Sequence, residues 1–599
     1  MISAARDSFK PISEEQLTEA RTEVRRRAHE LQQVLNRSGS RGRRWLDYLQ
    51  WDAFQQQLNA AGTPEFDPLV TTFERLNRNE AGLELAPFRR LSEALQRYVN
   101  LLAIARQENQ AAAYGRQLDA LSTELQEYRA QPSATTGAAI GRRIDFLAGL
   151  GQAPELVAAL RQELARPNGL VTISGKLLRD AAADPIDRHD PITDCILGTT
   201  IHGRGHTTGS VDLRTLPDDE RALLELNTRG RVVSQNRGYN GPAIIRSTGY
   251  TNFHATQRIE FTKDHFRADR ARVSARTTSD IHSVSKKGGG VGSRLVSKIG
   301  MDKAREKQGQ ANRIAADHAE VRIARRINDE IDDRLGDAWA RYRDEYRNPL
   351  VRRGALPEHI VFSTTNDAMR FEVTQATGGQ LGAPDDPPAL PSNQDIVARV
   401  HETAFNNYTA VMLGGATISE TEPGAGTKAD VTLPKFIKDA WENRMDEKAE
   451  AEPATDFEPW TLTFRRDQAV TVAFVNGKVE LTLHLAHLKS GDDEFRMWDV
   501  VATYEPELHD GGVTLRRAAV DAFAVGRDFK RRSVSAREAG QRPVLIDVLT
   551  KRSDEGRGIP QTIELKPLEP KDDLAHVGPL PVRLFEPQGG WLTVAWDRD

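Results

Sequence analysis

His202 and His206 lie four residues apart in the glycine-rich segment ILGTTIHGRGHTTGSVDLRTL, and Asp212 follows six residues later. Imidazole nitrogens and carboxylate oxygens are common zinc ligands. If this segment forms two strands joined by a glycine-rich turn, the two histidines face each other and Asp212 supplies a third ligand. The spacing therefore allows a metal site of His202, His206 and Asp212, although exposed histidines beside a turn are the simpler interpretation.

Three other patterns resemble known motifs and fail on their spacing. The glycines at 203–209 do not match a dinucleotide fingerprint, and the residues after them alternate like a strand instead of opening a helix. The segment KKGGGVGSR, 286–294, lacks the lysine of a phosphate-binding loop and predicts a hinge. In VHETAFNN, Phe405 stands where a zinc protease needs its second histidine. The sequence thus predicts no cofactor and no catalytic set.

The composition excludes further classes of site. Cys195 is the single cysteine, so an intramolecular disulfide and a cysteine-based zinc site are both impossible. Its setting, TDCILG, predicts a buried strand with a structural cysteine. The 82 basic and 86 acidic residues give a net charge of −4. This near-balance gives no reason to expect nucleic-acid binding.

Residues 1–170 have the pattern of a helical domain. Ser13 and Gln16 form a capping box before a helix with apolar residues three and four positions apart. Pro87 is well placed in the first turn of another helix. Short loops between such helices favour a bundle or stacked pairs.

The rest of the chain reads mainly as strands. Residues 171–290 alternate and carry many turn signals, which predicts a first β-rich domain. Residues 291–350 keep helical spacing and predict a long amphipathic linking helix. Residues 351–599 predict a second β-rich domain, in which Asn476-Gly477 marks a tight hairpin. The predicted fold class is α+β: an N-terminal helical domain, then antiparallel β-rich domains with a long connecting helix.

The chain shows no segment suited to cross a membrane. No apolar run approaches the roughly 20 residues that a membrane helix needs. The start, MISAARDSFKPISEEQL, lacks the apolar core of a signal peptide. The sequence predicts a soluble chain and leaves open the mature form of an exported protein.

Several segments resemble large, uncharacterised proteins of planctomycete-type bacteria, many of them thought to be exported. The likeness is carried by the segments DCILGTTIHGRGHTTGSV, GYNGPAIIRSTGY, RRINDEIDDRLGDAWARYRDEYRNPLVRRGALPEHIVFSTTND and DIVARVHETAFNNYTAVMLGGATISE. It spans most of residues 190–490. It implies a place in the periplasm or cell envelope, and it brings no known activity or functional residue.

The order of elements also resembles the tubular lipid-binding (BPI-like) superfamily. Those domains wrap a long curved antiparallel sheet around a long helix and hold lipid in an apolar groove. Here a sheet region, a long helix and a second sheet region follow in a compatible order. The resemblance is one of layout, since no sequence motif defines that superfamily.

Three hypotheses follow. The first is a non-enzymatic cell-envelope protein that binds an apolar ligand, a lipid, in a groove between sheet and helix. The second is a structural or assembly protein that self-associates through its helical domain. The third is a metal-dependent hydrolase built on His202, His206 and Asp212. The missing catalytic set favours a binding role over an enzyme.

Overall fold

The structure is a computed structural model of the chain. It describes residues 1–78, 80, 82–83, 85–183, 185–287, 293–377, 379–420, 428–429, 458–466, 468–526, 529–551, 558–570 and 572–598. The predicted glycine-rich hinge at 288–292 lies outside the described residues.

Helices dominate the first part of the chain and reappear singly later. Their bounds are α1 Ile2–Asp7, α2 Glu14–Arg37, α3 Ser40–Tyr48, α4 Trp51–Asn59, α5 Phe66–Leu76, α6 Ala86–Ala105, α7 Gln110–Ala130, α8 Ala134–Gly149, α9 Pro154–Leu164, α10 Gly175–Ala182, α11 Ser293–Arg341, α12 Asn348–Arg352, α13 Glu402–Leu413 and α14 Ala536–Lys551. A π-helical turn, Tyr342–Arg347, joins α11 to α12.

Helices α1–α9 pack around one apolar core, as their sequence periodicity predicts. The capping box of α2 is formed: the Ser13 hydroxyl accepts from the Gln16 amide, and the Gln16 side chain accepts from the Ser13 amide. Helix α6 begins with a proline in its first turn. The side chains of Leu31, Phe54 and Leu91 are fully buried in this core. The N-terminal helical region is therefore confirmed.

The strands follow from residue 169 onward. Their bounds are β1 Gly169–Ser174, β2 Ile186–Ile196, β3 Thr199–Leu216, β4 Ala222–Asn240, β5 Ala243–Phe261, β6 Phe266–Ala268, β7 Arg272–Lys286, β8 Ile360–Thr364, β9 Ala368–Val373, β10 Ile396–His401, β11 Thr417–Glu420, β12 Lys428–Ala429, β13 Trp460–Phe464, β14 Val470–Val475, β15 Lys478–Ser490, β16 Asp493–His509, β17 Gly512–Ala524, β18 Thr562–Leu565, β19 Val582–Gln588 and β20 Trp591–Trp596.

These strands form three antiparallel sheets among the described residues. The long-strand sheet has the order β2-β3-β4-β5-β6, with β7 also paired to β5. The central sheet has the order β19-β20-β10-β1-β9-β8. The C-terminal sheet runs β12-β11-β13-β15-β16-β17-β18, with β14 paired to β15. The predicted α+β class with antiparallel sheets and a long helix is confirmed.

The long-strand sheet and α11 match each other in length. Strands β3, β4 and β5 have 18, 19 and 19 residues, so each extends about 60 Å. Helix α11 has 49 residues and extends about 74 Å. The helix packs along β7 and also contacts β2, β5 and β6. One helix therefore runs the length of this sheet, closest to β7.

The central sheet ties distant parts of the chain together. Strand β1, which follows the helical region, pairs with β9 on one side and β10 on the other. Strand β20, the last of the chain, pairs with β10. The boundaries 171, 291 and 351 stay predictions, but this sheet shows that the chain after 351 returns to the segment near 170.

Two local predictions were wrong. The segment 199–216, in which the sequence predicts a glycine-rich turn, is one continuous strand, and the turn lies earlier at Leu197 and Gly198, both of which have positive φ. Cys195, predicted to be buried, is exposed on β2. The predicted Asn476-Gly477 hairpin is confirmed, with φ of 53° and 76°.

Asn168, which is fully buried, links the helical region to the central sheet. Its side-chain oxygen accepts from the Gln375 amide at 2.7 Å, and its amide nitrogen donates to the Gln375 carbonyl and the Thr403 hydroxyl. Its backbone carbonyl accepts from His401.

Replacing Asn168 with leucine should lower the free energy of unfolding by about 3 kcal/mol, because the buried Gln375 amide loses its acceptor and the Gln375 carbonyl keeps only Asn407 as a side-chain donor. Urea unfolding followed by circular dichroism measures the change. The matched control is Asn59→Leu, an exposed helix residue, which should change stability by under about 0.5 kcal/mol. Equal effects of the two variants would contradict the role given to Asn168.

Candidate functional site

A large cavity lies between the long-strand sheet and α11. Its volume is about 1910 Å³, and residues from β2, β3, β4, β5, β7 and α11 line it. Sites for drug-sized ligands occupy roughly 300–1,000 Å³. The cavity therefore has room for a ligand larger than most metabolites.

The cavity exists because small side chains face each other on both walls. On the sheet, Gly205 and Gly249 stand on the inner face beside Ser234, in one cross-strand row. On the helix, Ala311 and Ala315 face them. A Cβ atom at Gly205 would lie 2.9 Å from Ile192, and one at Gly249 would lie 2.7 Å from the Ser234 hydroxyl. Larger residues here would fill the space or displace the strands.

One end of the cavity is closed by apolar packing. Leu213, Leu226 and Ile259 on the sheet pack against Leu335 and Ile331 of α11. Beyond them is an aromatic cluster that joins this end to the central sheet; its members are Phe266, Trp339, Tyr342, Tyr346, Phe362 and Phe371. Burial raises the pKa of the Tyr342 hydroxyl to about 12. This end is therefore a dry, fixed floor.

The opposite end carries exposed apolar side chains. The strand turns at 197–198 and 241–242 and the first turns of α11 meet the cavity here. Leu197, Leu295 and Ile299 line the cavity and are 37%, 64% and 49% exposed. Exposed large apolar residues grouped at one opening mark a site for apolar contact. We call this end the lip.

Ion pairs close the side of the cavity where the edge strand β2 meets α11. Asp194 accepts hydrogen bonds from His318 at 2.7 Å and from Arg322 at 2.8 Å, and Asp190 accepts from Arg326 at 3.0 Å. We call these five residues the seam. Burial opposes the charge of Asp194, yet hydrogen bonds from Arg322, His318 and the Cys195 amide outweigh it and hold the pKa of this carboxyl below its usual value.

The candidate metal ligands lie elsewhere, on the outer face of the same sheet. His202, His206 and Asp212 all occupy outward positions of β3. Four and six residues of strand separate them by about 13 Å and 20 Å. His206 instead bonds Asp187 at 2.6 Å and stacks near His189.

Among the described residues, no three histidine, cysteine or carboxylate side chains are grouped so as to hold a metal ion. The metal site therefore stays a prediction, which elemental analysis for zinc tests directly.

The residue types at inward strand positions are a sequence signal for the cavity, although they form no motif. Along β3, β4 and β5 the inward positions contain glycine, serine and asparagine where a packed core would place valine or leucine. Alternation alone indicates a half-buried strand. Small residues at inward positions of several neighbouring strands indicate a space.

A second group of buried ionisable side chains lies at the junction of the helical region and the central sheet. Burial raises the pKa of the Glu402 carboxyl to about 7 and lowers the pKa of the His401 imidazole to about 4. One oxygen of Glu402 accepts from the Phe474 amide at 3.2 Å. Asp385 accepts from the Trp591 indole at 3.1 Å nearby.

Comparison with known proteins identifies no family for this chain. No family model matches the chain, and no curated protein matches it. Among solved structures, the crystal structure of lipopolysaccharide binding protein matches with 11% sequence identity, covers 72% of this chain and 99% of its own, and has a TM-score of 0.24. So low a score carries no argument. The resemblance to planctomycete-type proteins stays a prediction.

Asp194→Asn should lower the free energy of unfolding at pH 7 by roughly 1–2 kcal/mol, since charge-assisted hydrogen bonds are lost at a site whose partners are half exposed. Because the folded pKa is depressed, the carboxylate stabilises the fold above about pH 4, and this contribution disappears as the pH falls through the folded pKa.

Urea unfolding at several pH values measures this difference, with Asp212→Asn as the control, because Asp212 forms an exposed pair with Arg214. A wild-type advantage over Asp194→Asn that stays constant from pH 7 down to the lowest pH at which both proteins fold would contradict the role given to the seam.

Glu402→Gln should stabilise the protein at pH 8 by roughly 2–3 kcal/mol, because the wild-type carboxylate must be buried with its charge. The folded pKa is raised, so the wild type loses stability as the pH rises from about 4.5 through 7, and the variant does not. Thermal unfolding at pH 5 and pH 8 tests this. Glu507→Gln, at an exposed position, should show no such divergence.

Proposed function

We propose that the protein binds a lipid in the cavity between the long-strand sheet and α11. The observation that carries this proposal is the half-open cavity of about 1910 Å³ with an apolar floor and an exposed apolar lip. An apolar chain gains about 0.8 kcal/mol for each methylene that it transfers from water into such a space. The long axis of the cavity suits a chain that lies parallel to α11.

The chemistry of the lining favours carriage over catalysis. Among the described residues that line the cavity there is no histidine and no cysteine, and His318 of the seam, behind this lining, is paired with Asp194. The polar groups on the inner face of the sheet are mostly hydroxyls and amides, and the carboxylates of the seam are paired with arginine or histidine. Hydroxyl and amide groups orient a ligand by hydrogen bonding. A binding protein therefore accounts for this lining better than a hydrolase does.

A place in the cell envelope belongs to the same proposal. Within the described residues, no helix is both long and apolar enough to cross a membrane. The exposed lip would let such a protein take its ligand from a membrane surface or from another carrier. Fractionation of cells that express the full chain tests the compartment. Self-association through the helical region stays a separate proposal, which the mass of the native particle tests.

Native mass spectrometry of protein purified without detergent, with organic extraction of the same sample, tests the central point. We expect an added mass above that of the chain, and we expect it to extract as lipid. A bare chain mass, with no binding of fluorescent lipid added afterwards, would overturn the proposal.

Filling the cavity supplies a structural control. The double variant Ala311→Trp, Ala315→Trp places two indoles in the space, and excluding two methylenes of ligand should cost roughly tenfold in affinity. Val321→Trp is the matched control, because Val321 lies on the outer face of the same helix and is 61% exposed. Equal lipid affinity of the two proteins, both folded by circular dichroism, would place the ligand elsewhere.

A further inference from the structure

One zone of the cavity wall is polar as well as small. It consists of neighbouring inward positions on β3, β4, β5 and β7, which we call the belt: Gly205, Ser234, Asn236, Ser247, Gly249 and Ser279. The cross-strand register places these residues in two adjacent rows. On the lip side Ile201 and Ile245 follow. On the floor side the next row is Thr207, Val232, Thr251 and Thr277, and Phe253 and Leu226 lie beyond it.

The belt lies between the lip and the floor, somewhat nearer to the lip. Position 205 on β3 is six residues from the start of the strand at Thr199, so the belt is roughly 20 Å below the lip. The apolar floor at Leu213 is eight residues further, or about 26 Å. A ligand with a polar group at the belt would thus extend its apolar chain toward the floor.

One buried acceptor of the belt has no hydrogen-bond partner among the described residues. The Asn236 amide nitrogen donates to the Ser234 hydroxyl at 2.8 Å, and that hydroxyl is 3.4 Å from the Gly249 carbonyl, to which it donates. The Asn236 side-chain oxygen is buried and has no hydrogen-bond partner among the described residues. A buried acceptor without a partner costs about 1–3 kcal/mol.

The Asn236 oxygen fits here because Gly203, on the neighbouring strand β3, has no side chain. A Cβ atom at Gly203 would lie 2.3 Å from it. The last torsion of asparagine has broad, roughly two-fold wells, so the amide turns readily toward a ligand. Ser247, the cross-strand neighbour of Asn236, adds a hydroxyl on the same side.

We propose that the belt selects a lipid whose chain carries a hydrogen-bond donor at its linkage, as an amide-linked acyl chain does. An amide offers an N–H to the Asn236 oxygen and a carbonyl to a neighbouring hydroxyl. An ester offers only acceptors, and an ether offers a single weak one, so both leave the Asn236 oxygen without a donor. This inference rests on the proposed function and names the ligand class of the same cavity.

Three ligands of matched chain length test the inference on the wild-type protein: N-hexadecyl hexadecanamide, hexadecyl hexadecanoate and dihexadecyl ether. Each is transferred from cyclodextrin, and binding is measured by native mass spectrometry titration. We expect the amide to bind more tightly than the ester and the ether by roughly three- to tenfold, the value of one hydrogen bond.

Asn236→Leu should remove that preference by weakening the amide alone. The matched control is Asn252→Leu, on the exposed outer face of β5, which should keep the preference. Equal affinities for the three ligands in the wild type would overturn the selectivity proposed for the belt and leave the lipid-binding proposal intact. Equal weakening of all three by Asn236→Leu would also overturn it. Failure of every ligand to bind would instead count against the proposed function itself.

Discussion

The structure depends on a difference in width between the long-strand sheet and α11, two elements of similar length. The sheet contains three strands of 18–19 residues, and one 49-residue helix packs on the inner side of this sheet. A helix about 10 Å wide cannot fill the inner face of a sheet of five long strands. Where the side chains are large, at the floor, the two surfaces meet; where they are small, a cavity remains.

The sides of the cavity are held in different ways. At the floor, apolar packing and the aromatic cluster exclude water and connect α11 to the central sheet. At the seam, the edge strand β2 meets α11 through Asp194 and Asp190 and their arginine and histidine partners. An edge strand exposes unpaired backbone groups, and charged side chains protect it from pairing with another chain. The same charges make the seam the weakest wall, because partly exposed ion pairs are screened by salt.

Local sequence signals predicted the elements well and the site poorly. The capping box at Ser13 and the Asn476-Gly477 hairpin involve a few consecutive residues, and both form as expected. The turn predicted around His202 was wrong, because the glycines that suggest a turn occupy inward positions of one long strand beside the cavity. The apolar residues after Cys195 suggest that it is buried. On a strand, however, successive side chains point to opposite faces, and that of Cys195 points to solvent.

The cavity and the central sheet could not be read from local patterns, because both depend on partners far away in the chain. The row of Gly205, Ser234, Gly249 and Ser279 exists only once the register of four strands is known. Likewise, β1 finds its partners β9 and β10 about 200 residues later. Inward glycine and serine on several predicted strands were visible in the sequence, but without register they do not define a shared surface.

The most direct test of the central claim is to map where a lipid touches the chain. A long-chain fatty amide with a diazirine in its chain, loaded into the protein and activated by light, marks the residues beside it, and peptide mass spectrometry identifies them. If the lipid lies in the cavity, we expect adducts on inward positions of β3, β4 and β5 and on the face of α11 around Ala311 and Ala315. Adducts confined to the outer face of the sheet, or to helices α1–α9, would contradict it.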